Sequence, residues 1–292
     1  VNLRACEVCS ARDARVLLYS ARLDGPLVRC RRCGLVYVGE RGQDYTFATA
    51  DPERTRALGD LVSRLGIVDR DVEAAEQPKR AAAEDDRVRR LRAHVAGGRV
   101  LDVGSATGKF LVAAAPYFTV EGVEPDPGTS EQARAAGLTV TTGTLQSLQS
   151  PPGSFDAITM FHVIEHLDSP RKALEQARRL LVPGGIVLIE TPTVDCLWFR
   201  LAPSRWRQLI PDHYFFFSRA TLERLLGQCG FEPAGHEKVG RRVSLRFAAD
   251  RLRRAGVPGA RTLGTLAHRS GLGERTVYLN PGDIMQVTAR AV

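Results

Sequence analysis

The chain has 292 residues, 43% of them hydrophobic and 25% charged, with a formal net charge of +8. That length accommodates one large α/β domain and a small appendage, and no apolar stretch approaches the roughly 18 residues that span a bilayer. No basic, apolar and cleavage-site succession opens the chain, so the cytoplasm is the expected compartment and no membrane partner is expected. The excess charge is carried by arginine, since Lys79, Lys109, Lys172 and Lys238 are the only lysines. A basic surface points to an anionic partner, either a phosphate-bearing substrate or RNA.

Two cysteine pairs come first, Cys6-x2-Cys9 and Cys30-x2-Cys33. This spacing suits a closed, tetrahedral, four-thiolate zinc site better than disulfides. Residues 1–40 are therefore read as a zinc ribbon too small for its own core, to which bound metal supplies folding free energy. An iron site or redox thiols are the alternatives. Cys196 and Cys229 stand alone and read as buried thiols. From Asp51 to His94 the pattern is helical and rich in Ala, Arg and Glu, so residues 41–98 read as a helical lid or linker.

The period then changes. Short apolar runs at Arg99–Val103, Thr119–Glu124, Leu138–Thr141, Phe155–Phe161 and Ile186–Glu190 alternate with helical stretches at Lys109–Ala115, Gly128–Ala136 and Pro170–Leu181. A further helix runs from Ser218 to Cys229, with a serine N-cap and Gly230 just past its end. Such alternation predicts a mainly parallel, doubly wound sheet with helices on both faces. Six arginines, Arg241, Arg242, Arg246, Arg251, Arg253 and Arg254, crowd one predicted helical region, either as a solvated face or as a phosphate-recognition site.

Strand, glycine turn and helix meet at Val100-Leu-Asp-Val-Gly-Ser-Ala-Thr-Gly-Lys-Phe110. The turn is one residue too short for a P-loop, and Ala106 departs from the dinucleotide fingerprint. What remains is Asp-x-Gly-x3-Gly, followed about 20 residues later by Glu124 at a strand end. With Pro152–Ile158 and Leu181–Ile186, this resembles class I S-adenosylmethionine-dependent methyltransferases over roughly Arg99 to Pro233. The resemblance implies a seven-stranded, Rossmann-like methyltransferase sheet over 99–292, with Gly282–Ala291 as a late antiparallel strand. Segments 192–217 and 234–281 would shape the acceptor pocket. It also implies that Asp102, Gly104, Ser105, Gly108, Glu124, Pro125, Thr144, Leu145, Phe161 and His162 surround S-adenosylmethionine. Glu124 would accept the ribose hydroxyls, and Thr144-Leu145 would border the adenine, without the Asp often found there.

The segment His162-Val-Ile-Glu165-His166 follows a predicted strand, which argues against a helical zinc-protease motif. It resembles the Glu-x-x-Glu-His segment of ubiquinone-biosynthesis O-methyltransferases, with His162 replacing the first Glu. That resemblance implies a divalent cation at Glu165 and His166, or His166 acting as general base. His213, in Asp212-His213-Tyr-Phe-Phe-Phe-Ser218, is the second candidate base. The expected reaction is methylation of a small molecule, at oxygen in a secondary metabolite, quinone-like compound or sugar. The acceptor would be phosphate-bearing, carrier-bound or neither, and a homodimer is left open. Sugar C- or N-methylation and RNA methylation are the alternatives.

Overall fold

The computed structural model describes residues 3–23, 25–40, 81–254, 258, 259, 262, 269 and 272–292. Of the helical lid or linker expected over 41–98, residues 41–80 lie outside them. In the N-terminal segment three short strands, β1 (Ala14–Leu18), β2 (Leu27–Cys30) and β3 (Val36–Val38), pair antiparallel. Each cysteine pair ends in a left-handed residue, Ser10 (φ 57°) after Cys9 and Gly34 (φ 83°) after Cys33. Their N–H groups donate back to the carbonyls of Cys6 and Cys30 at 2.8 and 3.0 Å. These two matching turns point all four sulfurs at one another.

Helix α1 (Ala81–Arg92) leads into β4 (Arg99–Val103), α2 (Lys109–Ala114), β5 (Thr119–Glu124), α3 (Pro127–Ala135) and β6 (Val140–Thr142). Asp126 caps α3 by accepting from the Thr129 N–H at 2.6 Å, and Pro127 supplies a first-turn φ suited to helix. Next come β7 (Phe155–Phe161), α4 (Pro170–Leu180) and β8 (Leu181–Pro192), the last two turning over without a loop. Then α5 (Leu197–Leu201), β9 (Phe215–Phe216), α6 (Arg219–Gln228) and β10 (Phe231–Lys238) follow. The chain closes with β11 (Arg241–Ser244), α7 (Leu245–Arg254), β12 (Thr276–Leu279) and β13 (Ile284–Ala291).

The main sheet has seven strands in the order β10-β13-β8-β7-β4-β5-β6. Strands β4 to β8 are parallel, and β13 runs antiparallel between β8 and β10, as the late strand was expected to do. Side-chain alternation divides the core between the two faces. Val100, Ile186 and Leu188 pack with Val88, Leu91, Phe110 and Leu111 from α1 and α2. Leu101, Val187 and Ile189 pack on the other face with Leu174 and Leu180 of α4 and Leu222 and Leu225 of α6. That second cluster also takes in Val28, Val36 and Tyr37 of the ribbon.

Two boundaries differ from the sequence expectation. The 234–281 insertion begins only after Lys238, because Pro233 to Lys238 pair with β13. Arg241 and Arg242 lie on β11, while Arg246, Arg251, Arg253 and Arg254 lie on α7, so the six arginines do not share one helix face. Apolar Val243 and buried Ser244 end the strand, and pairing with β12 overrides the helical pattern. Among the described residues, no helix is long and apolar enough to cross a membrane.

Candidate cofactor pocket and acceptor-side cluster

At β4 the chain order reverses across the sheet, since β5 lies on one side and β7 on the other. Open α/β sheets bind ligands at the carboxyl ends of strands at such a switch point. Here β4 ends in Val103 and the chain turns at Gly104 (φ 69°), where a Cβ would come 2.7 Å from Val163 Cγ2. Gly108 (φ 79°) occupies the N-cap of α2, and a Cβ there would collide with Leu138. Between them Ala106 also adopts a left-handed conformation, φ 47°. That strain is held by Glu124, whose Oε2 accepts from the Ala106 N–H and Oε1 from the Asp126 N–H, both at 2.9 Å. Burial raises the pKa of Glu124, against these two backbone hydrogen bonds. Each oxygen keeps a second lone pair for a hydroxyl donor.

A cavity of about 370 Å³ opens beside this turn. Of the residues expected to surround a cofactor, Gly104, Pro125, Thr144 and Leu145 line it. The others stand behind or beside the lining. Asp102 is buried under the turn and accepts from Thr159 Oγ1 at 2.6 Å; burial pushes its carboxyl up to about 7. Ser105 Oγ is buried without a hydrogen-bond partner, packed toward Gly122. Phe161 lies under the Arg87 guanidinium, 4.3 Å from ring centre, and edge-on to Phe110. His162, just past β7 with φ 57°, turns toward Glu165 and Glu190, 3.2 Å from each. Arg241 of β11 approaches its Nε2 at 3.0 Å.

Apart from His166, the opposite wall of the cavity is not marked in the sequence. It consists of Val163, His166, Leu167, Asp168, Ser169, Lys172 and Ala173, from just past β7 to the first turn of α4. The one sequence signal for it is Ser169-Pro170, a helix start: Ser169 Oγ accepts from the Lys172 N–H at 3.3 Å.

His166 connects the cavity to a buried polar cluster. Ligand atoms of Glu165, His166 and His213 all lie within 4.8 Å of one another, and the two imidazoles meet edge to face at 4.6 Å. Burial alone would raise the pKa of Glu165. The hydrogen bond from His162 and the charges of His166 and His162 reverse this and hold it down to about 2. Its Oε2 accepts from Thr191 Oγ1 at 2.8 Å. Burial would lower the pKa of His166, but Asp212, 3.3 Å from Nδ1, lifts it to about 9. His213, buried and beside that charge, falls to about 4. Its Nδ1–H donates to Gln208 O at 2.9 Å, which leaves Nε2 as the acceptor tautomer. With these protonation states His166 is an imidazolium near neutral pH and makes a poor base; only with its proton displaced would the three groups form a His-His-carboxylate donor set.

The four ribbon cysteines form a second cluster, with all sulfurs within 4.8 Å of one another. Cys6 and Cys33 approach to 3.4 Å and Cys9 and Cys30 to 3.5 Å, and none of the four forms a disulfide.

Residues 72–234 match the family model for the methyltransferase domain. That span is more than half of the chain, which therefore belongs to this family. Its fold is the one shared by S-adenosylmethionine-dependent methyltransferases. A probable S-adenosylmethionine-dependent methyltransferase of Mycolicibacterium smegmatis is 32% identical over 49% of this chain and 55% of that protein. A ubiquinone biosynthesis O-methyltransferase of Methylococcus capsulatus is 29% identical over 53% of this chain and 72% of that one. The match thus spans little more than half the length of the first of these relatives. The crystal structure of Bacillus subtilis YcgJ superposes with a TM-score of 0.51 at 18% identity, over 72% of this chain and 98% of that one, a likeness of fold.

Proposed function

We propose that this chain transfers a methyl group from S-adenosylmethionine to a hydroxyl oxygen of a small molecule. The observation that carries the proposal is the Glu165–His166–His213 cluster, joined through His166 to the cavity beside the glycine turn. Methylation of a hydroxyl needs its proton removed or its pKa lowered. The names of several relatives as ubiquinone O-methyltransferases support the oxygen acceptor. The cofactor's fit rests on the apolar walls Val123, Leu145 and Val163 and on the unused lone pairs of Glu124. In-line displacement at a sulfonium asks the protein for alignment and exclusion of water, and the Gly104 turn and the Val163–Lys172 wall supply both.

The donor set of Glu165, His166 and His213 suits a divalent transition-metal ion. Such an ion would act as a Lewis acid on the acceptor hydroxyl. In the ribbon, a tetrahedron of Zn–S bonds of about 2.3 Å has edges near ~3.8 Å. Two of the sulfur separations, 3.4 and 3.5 Å, are close to that, so the four cysteines are assigned a structural zinc. The test is methyl transfer from labelled S-adenosylmethionine to a panel of phenolic, catecholic and sugar hydroxyls and to total RNA. Retention on RNA is followed against salt, and chelator is applied while the ribbon zinc is monitored. Label on oxygen, lost with chelator and restored by a divalent ion, supports the reading. Label confined to RNA, carbon or nitrogen overturns it.

A further inference from the structure

Ribbon and cavity wall share a set of contacts. Ser169 Oγ, the N-cap of α4, donates to Glu7 Oε2 at 2.8 Å while accepting from the Lys172 N–H. Arg171, the next side chain but one, donates to the Glu7 carbonyl at 3.0 and 3.2 Å and to the Val8 carbonyl at 3.3 Å. Arg4 donates to the Asp168 carbonyl at 2.8 Å. Glu7 and Val8 lie between Cys6 and Cys9, so the first cysteine turn grips the Asp168–Lys172 stretch, three of whose residues line the cavity.

A second set reaches the acceptor side. Strand β3 pairs with β9, Val36 opposite Phe216 and Tyr37 opposite Phe215. The Val38 N–H donates to the Tyr214 carbonyl, and the Tyr214 N–H donates to the Glu165 carbonyl, both at 2.9 Å. The residue before Tyr214 is His213. One peptide unit separates the ribbon's edge from each of two members of the polar cluster.

We infer that the four-cysteine ribbon is a positioning element of the methyl-transfer site, with Glu7 setting the cofactor wall through Ser169 and β3 setting the segment that carries His213. Glu7 touches neither cofactor nor acceptor and acts through the cap of α4. Its carboxylate fixes the Ser169 hydroxyl so that the lone pair toward the Lys172 N–H stays occupied, and the first helical turn presents Ser169, Lys172 and Ala173 to the cavity. The ribbon is thus built into the site's walls, and its sheet continues into the catalytic domain through β9.

This inference rests on the reading of the cavity as the S-adenosylmethionine pocket. The test uses the full chain and three variants, Glu7→Ala, Glu7→Gln and Arg171→Ala. Calorimetry measures S-adenosylmethionine affinity, amide exchange follows Lys172, and metal content with thiol titration reports on the cysteine cluster. Glu7→Ala is expected to weaken the cofactor about five- to tenfold and to speed exchange at Lys172 by at least about tenfold, with metal content unchanged. Glu7→Gln keeps an acceptor for Ser169 and should stay within about twofold of the parent on both readouts. Arg171→Ala, which removes the grip on the Glu7 and Val8 carbonyls from the α4 side, should follow Glu7→Ala. Parental affinity and exchange in both alanine variants, or a glutamine variant as weak as the alanine one, overturns the inference. A parent chain that binds no S-adenosylmethionine overturns the cofactor reading instead, and Lys172 exchange still decides whether Glu7 sets the wall.

Discussion

The two oxygens of Glu124 hold the backbone N–H groups of Ala106 and Asp126, and the resemblance read in the sequence implies a further role for it, that of ribose acceptor. Glu124→Ala should therefore weaken S-adenosylmethionine binding at least about tenfold, or ~1.4 kcal/mol, and loosen the turn in the free protein; Ala106 amide exchange checks the second effect. Gly104→Ala should weaken binding by a similar factor or more, since its φ of 69° and the approach to Val163 both penalise a side chain. Asp102 gives a pH signature. Burial raises its folded pKa to about 7 from an ordinary 3.8. The native state therefore keeps a proton that the unfolded chain releases between those values, and stability falls as pH climbs from about 4 to about 7. Asp102→Asn, which still accepts from Thr159, should gain on the parent across that range, by up to about 4 kcal/mol at neutral pH. Urea unfolding of both proteins at pH 5 and pH 8 tests this, and a difference independent of pH would contradict it. The resemblance to class I methyltransferases made Gly104, Pro125, Thr144 and Leu145 legible as lining. It could not show that Phe161 sits under Arg87 or that Ser105 faces Gly122, because those depend on which face of a turn each side chain takes.

At the scale of elements, the strand and helix alternation was legible because the buried parallel strands are short apolar runs and three of the helices carry their own start signal, Asp126 before α3, Ser169 before α4 and Ser218 before α6. Apart from His166, the opposite wall of the cavity was hidden for the same reason: Ser169-Pro170 reads as a helix cap, and nothing local says that the cap faces a ligand. Helix α1 shows how a polar element is fastened to the sheet. Arg87 pairs with buried Glu190 at 2.6 Å and with Glu84 at 3.1 Å while lying over Phe161. Removing one partner of a buried pair strands the other charge, at a cost of about 3 kcal/mol or more. Arg87→Ala should lower the unfolding free energy by about that much and speed amide exchange in α1. A stability loss under about 1 kcal/mol would show that water already screens this pair.

For the molecule as a whole, the sequence suggests an appendage beside an enzyme, and the structure shows a ribbon whose strand β3 continues into β9 and whose core residues belong to the same cluster as α4 and α6. Pairing between residues about 180 positions apart leaves no local trace in a sequence, so this union was not legible. Replacing Cys6 and Cys9 with Ser should abolish zinc binding and lower the melting temperature of the whole chain in one transition, because the ribbon shares the domain's core. Two separated transitions would mean that the ribbon folds alone. The proposed methyl transfer requires that the Gly104 turn and the cavity beside it hold S-adenosylmethionine. Calorimetric titration of the full chain with S-adenosylmethionine checks this, with saturable binding of one cofactor per chain expected, lost or weakened at least about tenfold in Gly104→Ala. Absence of binding by the parent, or equal binding by both, would contradict it.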